Sequence, residues 1–226
     1  MIGALPHRHV LVFDVNETLL DLRALAPRFE QVFGDGALYS QWFGQVQQSA
    51  LLTVVTGRYC DFGQVGRAAL DMLAQRRGTD LTERDRGVIL GAMRTLPPHS
   101  DVVPALEMLR RSGRRMAALT NSPPEVAQAQ LTNAGVASFM EAILSVDAVK
   151  SLKPAAKVYR YAARQLGVAP AGMRLIAAHA WDVAGAMRAG CAAAFVARSG
   201  RVPDPLFPVP DIVAPDLLGV AEQLLG

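Results

Sequence analysis

Cysteine is scarce in this chain: two residues in 226, Cys60 and Cys191. They stand far apart and in no metal-type spacing, which excludes a cysteine-based metal site and leaves two buried thiols as the expectation. Charged residues make up only 19% and aromatics 6%. No apolar run approaches the ~20 residues that span a bilayer, so no membrane partner is expected. Residues 1–8 lack the charged-then-apolar pattern of a secretory signal, which points to a cytoplasmic protein. The net charge is a modest +3. Its densest basic cluster, Arg110, Arg111, Arg114 and Arg115, flanks Gly113 at an expected helix end, where cations favour the dipole. No aromatics interleave with it, so it reads as a solvated face and not a nucleic-acid surface.

What the chain does have is apolar mass. At 51% hydrophobic it can bury one large domain, or a core domain with a smaller insertion. Short runs rich in Val, Ile, Leu and Ala at 9–14, 115–120, 142–146, 174–178 and 192–197 are each followed by a loop and a helical pattern. That repeat predicts an α/β fold with a mostly parallel sheet. Between about 20 and 97 the strand texture disappears. Residues 19–33, 38–56, 63–77 and 81–96 carry apolar side chains at helical spacing, with Thr82 and Asp85 in capping-box positions. The expected organisation is therefore a core domain from 1–20 and 98–226 and an inserted helical domain from 21–97. Residues 203–215 read as a Pro-rich surface loop with one short strand near 211–214.

Each core strand is predicted to end in a polar residue, and in a parallel sheet those ends face one way, where open α/β sheets bind ligands. Asp14 follows the first run. Thr120-Asn121-Ser122 follows the second. Ser122 is the expected N-cap, with Pro123 in the first helical position and Glu125 completing a capping box. Thr120 and Asn121 would then lie by a helix N-terminus suited to anions. Lys153 precedes Pro154 in the third loop, ahead of a helix carrying Tyr159. The fourth is His179-Ala180-Trp181-Asp182. Singly, each is often a cap or a turn. Together they gather an acid, a hydroxyl–amide pair, an ammonium and a second acid around one pocket.

This order resembles the haloacid dehalogenase superfamily of hydrolases. Phe13-Asp14-Val15-Asn16-Glu17-Thr18-Leu19 is similar to its first motif, Leu119-Thr120-Asn121 to its second, Lys153-Pro154 to its third, and Trp181-Asp182 to its fourth. The resemblance spans essentially the whole chain. It implies a Rossmann-like core, a helical cap domain and Asp14 as a covalent nucleophile. Most members are Mg²⁺-dependent phosphatases with a second acid two residues after the nucleophile and a Gly-Asp pair in motif four. Here those positions are Asn16, which cannot protonate a leaving alkoxide, and Ala178, which offers a cation no side-chain oxygen. Phosphoryl transfer needs that charge neutralised. A halide is a weak base and needs neither group. The chain most resembles the L-2-haloacid dehalogenase branch, which implies hydrolysis of short 2-haloalkanoic acids such as haloacetate and L-2-halopropionate through an aspartyl ester, with no cofactor and no metal. Two other readings stay open: a phosphatase-like hydrolase of the superfamily, and a non-catalytic member that keeps the scaffold for binding.

By this resemblance Lys153 pairs with Asp14 and keeps it ionised. Thr18 bonds Asp14 or its neighbours. Thr120, with main-chain amides near Val15, Asn16 and Asn121, holds the substrate carboxylate. Asn121 also touches the halide, Asp182 positions or activates the hydrolytic water, and Tyr159 supports Lys153 or Asp182. Three positions depart from the branch pattern. Asn16 stands for a Tyr, Phe43 for the halide-binding Arg after Trp42, and Ala178-His179 for Ser-Asn. An anion leaving a dry pocket needs a positive or N–H partner, and His179 is the expected substitute, with Trp181 or a residue of the cap domain the alternative. Phe43 and Trp42 suggest an apolar cap surface closing over a tight site, suited to small substrates such as chloroacetate or fluoroacetate. The partners implied are a small 2-haloacid and its halide. Branch members are often dimeric, and the apolar helical cap gives this chain a face for a homodimer.

Overall fold

In a computed structural model of the protein, residues 10–226 are described; His9 and residues 1–8, where no signal is expected, lie outside them. Among the described residues six strands form one sheet: β1 (Val10–Phe13), β2 (Met116–Thr120), β3 (Ala142–Ser145), β4 (Met173–Ala177), β5 (Ala192–Val196) and β6 (Ile212–Ala214). The spatial order is β3-β2-β1-β4-β5-β6, and every pairing is parallel. β1, β2 and β4 are buried along their whole length. Both faces of the sheet centre are covered, which is why these strands read as unbroken apolar runs and not as an alternation. The chain leaves β1 toward β2 and β3, then returns to β4 on the other side. β1 is thus the topological switch point, where a crevice opens at the carboxyl ends of the strands.

Between β1 and β2 lie five α-helices, four of them within residues 21–97: α1 (Ala26–Phe33), α2 (Leu38–Thr56), α3 (Phe62–Arg77) and α4 (Glu83–Ala92). Capping boxes start two of them, Asp61 with Gln64 on α3 and Thr82 with Asp85 on α4. The continuous helix expected over 19–33 is broken. A 3₁₀ turn at Leu22–Leu25, capped by Asp21 accepting from the Arg23 amide, precedes α1, whose first turn holds Pro27. Pro27 is pre-shaped for a helix start and cannot donate to a preceding turn. The remaining helices are α5 (Val102–Arg111), α6 (Pro124–Asn133), α7 (Ala156–Gln165), α8 (Ala180–Arg188) and α9 (Leu217–Leu225).

Several local expectations need correction. The N-cap of α6 is Pro123, with no side-chain cap bond. Pro124 takes the first helical position and moves the start one residue on. Ser122 is buried instead, its amide donating to Thr120 Oγ1 at 3.1 Å and its carbonyl accepting from Ser145 Oγ at 2.7 Å. Cys60 is half-buried, while Cys191 is buried. Trp42 does not close over the strand ends. Its Nε1 donates to the Gly66 carbonyl at 2.9 Å and its ring packs on Phe29 at 5.6 Å, so it belongs to the interior of the helical segment. The basic cluster is spent locally: Arg111 on Glu107 at 3.0 Å, Arg115 on Glu141 at 2.7 Å, and Arg114 on the Leu224 carbonyl at 2.7 Å. Of the loop expected over 203–215, residues 205–209 are exposed, and the chain then enters β6.

Candidate active site

Asp14 follows β1, and its amide is held by the Ile176 carbonyl of β4 at 3.0 Å. Its carboxylate is contacted on both oxygens. Lys153 Nζ donates to Oδ1 at 2.9 Å, and Thr18 Oγ1 donates to Oδ2 at 2.7 Å. Thr18 is itself fixed by accepting from the Ala178 amide at 3.0 Å. Lys153 also donates to Asp182 Oδ2 at 2.8 Å, and the Tyr159 hydroxyl donates to Asp182 Oδ1 at 2.6 Å. Burial penalises every one of these charges, yet Lys153, then His179, outweigh it at Asp14 and hold that carboxyl below the usual range. The two carboxylates likewise outweigh burial at Lys153 and keep its ammonium charged. At Asp182 burial dominates and pushes its pKa up.

His179 lies on the other side of Asp14. Its Nδ1 is 3.3 Å from Asp14 Oδ2, off the line of a hydrogen bond, and its Nε2 meets Glu17 Oε2 at 2.7 Å. Burial opposes the imidazolium, but Asp14 and Glu17 raise its pKa to about 9. Glu17 is closed by Arg201 at 2.5 Å. Three carboxylates and three cations thus form one charge-balanced cluster. Glu17 and Arg201 were not among the residues expected from the sequence. The sequence signal at Glu17 was faint, an acid within the first motif; the structure holds it at φ +63°, a backbone region that L side chains seldom adopt. Arg201 comes from the loop after β5, distant in sequence, and carried no signal.

The cavity over Asp14 measures about 20 Å³, room for roughly one water. Of the expected residues, Asp14, Asn16, Asn121, Lys153, His179, Trp181 and Phe43 line it. Val15, Thr18, Thr120, Tyr159 and Asp182 do not; all are 0–1% exposed and lie behind the lining. Thr120 Oγ1 accepts from the Ser122 amide and so shapes the loop behind the lining. Val15 packs its side chain in the core; the expectation at this position concerns its main-chain amide. The helical segment adds Gln47, Ala50, Leu51 and Phe62, which helical periodicity alone could not separate from core positions. Phe43 lies 6.3 Å from the His179 ring, and His179 stacks on Trp181 at 5.1 Å.

Two amides in the lining have fixed orientations. Asn121 Oδ1 accepts from the Lys153 amide at 3.0 Å. Asn16 Oδ1 accepts from Gln130 Nε2 at 2.9 Å, which leaves its Nδ2 toward Ser122 Oγ at 3.4 Å. Both side chains therefore offer N–H groups at the cavity. A divalent cation does not fit this donor set. The Lys153 ammonium lies between Asp14 and Asp182, and Ala178 has no side-chain oxygen.

Two outcomes follow from the packing. A Cβ at Gly185 on α8 would lie 2.5 Å from Pro154 Cβ and 2.7 Å from the Tyr159 hydroxyl. Gly185→Ala should therefore cost about 1–3 kcal/mol and displace Tyr159 from Asp182. Thermal unfolding reads the first effect and turnover the second. The charge cluster also sets a pH profile. The raised pKa of His179 means its contribution is complete below about 6.5 and is lost as pH rises through about 9. The lowered pKa of Asp14 means its contribution is present above 3.8 and is lost on acidification. The melting temperature should peak between these limits and fall toward pH 9, by a few kcal/mol in free energy. In His179→Gln the alkaline decline should flatten.

The matching family model is that of the haloacid dehalogenase-like hydrolases, over residues 9–190. The chain is 31% identical over 214 residues to (S)-2-haloacid dehalogenase of Pseudomonas sp. (strain YL), covering 94% of this chain and 92% of that protein. It is 28% identical over 207 residues to haloacetate dehalogenase H-2 of Moraxella sp. (strain B), covering 91% and 92%. In three dimensions it is similar to L-2-haloacid dehalogenase from Xanthobacter autotrophicus with chloropropionic acid covalently bound, at TM-score 0.90, 28% identity and 96% and 98% coverage.

Proposed function

The chain belongs to the haloacid dehalogenase-like hydrolases, and from that premise we propose that it is a 2-haloacid dehalogenase acting on short substrates such as haloacetate and L-2-halopropionate. The observation that carries this reading is the ionised Asp14 facing a small, largely apolar cavity, with Asn16 where a leaving-group acid would stand. The helical segment 21–97 acts as the cap and supplies the apolar side of that cavity.

In the first half-reaction an Asp14 oxygen attacks C2 in line, and halide leaves with the C–X electron pair. Donors at Asn16 and Asn121 are suited to the substrate carboxylate, so positioning supplies much of the rate. Lys153 is a positioning residue that keeps Asp14 charged. Asp182 and Tyr159 in turn hold Lys153, and Asp182, with both oxygens engaged, is poorly placed to reach water.

Ester formation removes the Asp14 charge. His179 then loses one of the two anions that raise its pKa and releases a proton to solvent, balancing the halide. Neutral Nδ1 takes a proton from water as hydroxide adds to the Asp14 carbonyl carbon, with Glu17 orienting the ring through Nε2. Collapse of the adduct expels the 2-hydroxy acid oxygen, which receives the proton from His179. The new carboxyl returns its proton to His179. Whichever Asp14 oxygen carries the ester, the other keeps Lys153 or Thr18 as a donor. His179 is thus assigned to the water and not to the halide.

Exposed Leu52 and Val55 on α2 support a homodimer through the cap. The reading is tested by halide release from each enantiomer of 2-chloropropionate and from chloroacetate, with and without EDTA, beside p-nitrophenyl phosphate. Halide release from the L enantiomer, insensitive to EDTA, is expected. Phosphate release requiring Mg²⁺, or no turnover of any substrate, would overturn it.

A further inference from the structure

An in-line displacement sends the halide away from Asp14, toward the side of the cavity built by the helical segment. The branch's cationic residue there is Phe43 in this chain. Gln47 lies one turn further along α2, on the same helix face, and lines the same cavity. Its Nε2 is out of reach of solvent and has no hydrogen-bond partner among the described residues. A buried amide N–H left unmade is costly, so the site is complete only when a ligand brings an acceptor. Trp181 Nε1, in the same lining, is in the same condition. The remaining lining from the helical segment, Phe43, Ala50, Leu51 and Phe62, is apolar and excludes water, which strengthens any hydrogen bond to an anion.

We propose that Gln47 receives the departing halide through its side-chain N–H, with Trp181 as the second donor, and so takes over the task of the absent cation. This rests on the dehalogenase reading. A neutral amide stabilises an anion without binding it as a full charge would, so the halide is also released readily. Gln47 is a catalytic residue by contact with the leaving atom, and it discriminates among halogens. The leaving group that depends most on help, chloride over bromide, depends most on Gln47.

The test uses the whole chain, with Gln47→Met to remove the N–H at similar size and Gln47→Glu to replace it with an acceptor. Binding is read first, without turnover, as the rise in melting temperature with sodium bromide and, separately, with sodium propionate, against sodium sulfate at matched ionic strength. Native protein should be stabilised by bromide and by propionate. Both variants should lose about tenfold or more in bromide affinity, and Gln47→Met should keep propionate affinity within about twofold. On L-2-chloropropionate kcat should fall about 10- to 100-fold with KM little changed, and on L-2-bromopropionate the fall should be smaller. Loss of propionate affinity with bromide affinity retained would assign Gln47 to the carboxylate and overturn the proposal. So would unchanged bromide affinity in both variants. Should the native chain bind bromide through Gln47 yet dehalogenate nothing, the dehalogenase reading fails while the anion site stands.

Discussion

Asp14→Asn should lower halide release on the order of 10⁴-fold or more, the scale seen when a covalent nucleophile is removed. The amide retains the shape of the carboxylate but has no charge to attack C2. The fold should survive. Asp14, Glu17 and Asp182 balance Lys153, His179 and Arg201, so deleting one carboxylate leaves a single surplus cation. His179 can discharge that surplus by losing its proton, because its raised pKa depends partly on Asp14. Lys153 keeps Asp182 at 2.8 Å. The usual cost of breaking a buried ion pair, about 3–5 kcal/mol, is therefore softened. Ion-selective electrode assays and circular dichroism read the two effects. Retention of more than about 1% activity would mean that water, not Asp14, attacks the substrate. A single turnover of native enzyme in ¹⁸O-water separates the same two routes through the product: the hydroxyl oxygen should come unlabelled from Asp14.

His179→Gln should separate the two half-reactions. Asp14 remains ionised through Lys153 and Thr18, so the ester forms. Its hydrolysis loses the general base, worth about 10²- to 10⁴-fold. The variant should release about one halide per chain and then stall, with the ester found by mass spectrometry on the peptide carrying Asp14. Continued turnover at the native rate would return water activation to Asp182. Glu17→Gly probes the same step from behind His179. Glu17 sits at φ +63°, where a non-glycine residue is strained by about 1–2 kcal/mol. Glycine relieves that strain but removes the carboxylate that orients His179. Strain relief offsets part of the loss of the His179 and Arg201 pairs, so we expect a smaller loss of stability than the about 3–5 kcal/mol of a broken buried pair, with ester accumulation like that of His179→Gln. Strain kept where it lowers stability and removed only at the expense of turnover is the signature of a functional position.

Much of this protein is legible in its residues alone. The alternation of apolar runs with helical patterns gives the parallel sheet, because a strand covered on both faces needs an unbroken apolar run. The strand ends then put Asp14, Asn121, Lys153 and His179 at one edge. Asn16 and Ala178, set against the motifs of the superfamily they resemble, argue against phosphoryl chemistry. What the sequence could not show is direction. Thr120 and Asp182 look from their positions like ligands of substrate and water, but both lie behind the cavity lining, Thr120 accepting from the Ser122 amide and Asp182 engaged by Lys153 and Tyr159. Trp42 and Phe43 are adjacent in sequence, yet helical geometry turns one into the cap interior and the other toward His179. Gln47 differs from other polar residues of α2 only in where its amide lies.

The sequence by itself therefore determined the fold class, through its alternation of apolar runs and helical patterns, and put Asp14 and Lys153 at strand ends; their roles as nucleophile and ammonium partner are what the family resemblance implies. Only tertiary structure decided which groups meet across 160 or more positions: Ala178 with Thr18, His179 with Glu17, Arg201 with Glu17. The reason is physical. Periodicity encodes which face is buried, whereas a hydrogen bond depends on the rotation and approach of two elements that the sheet order brings together.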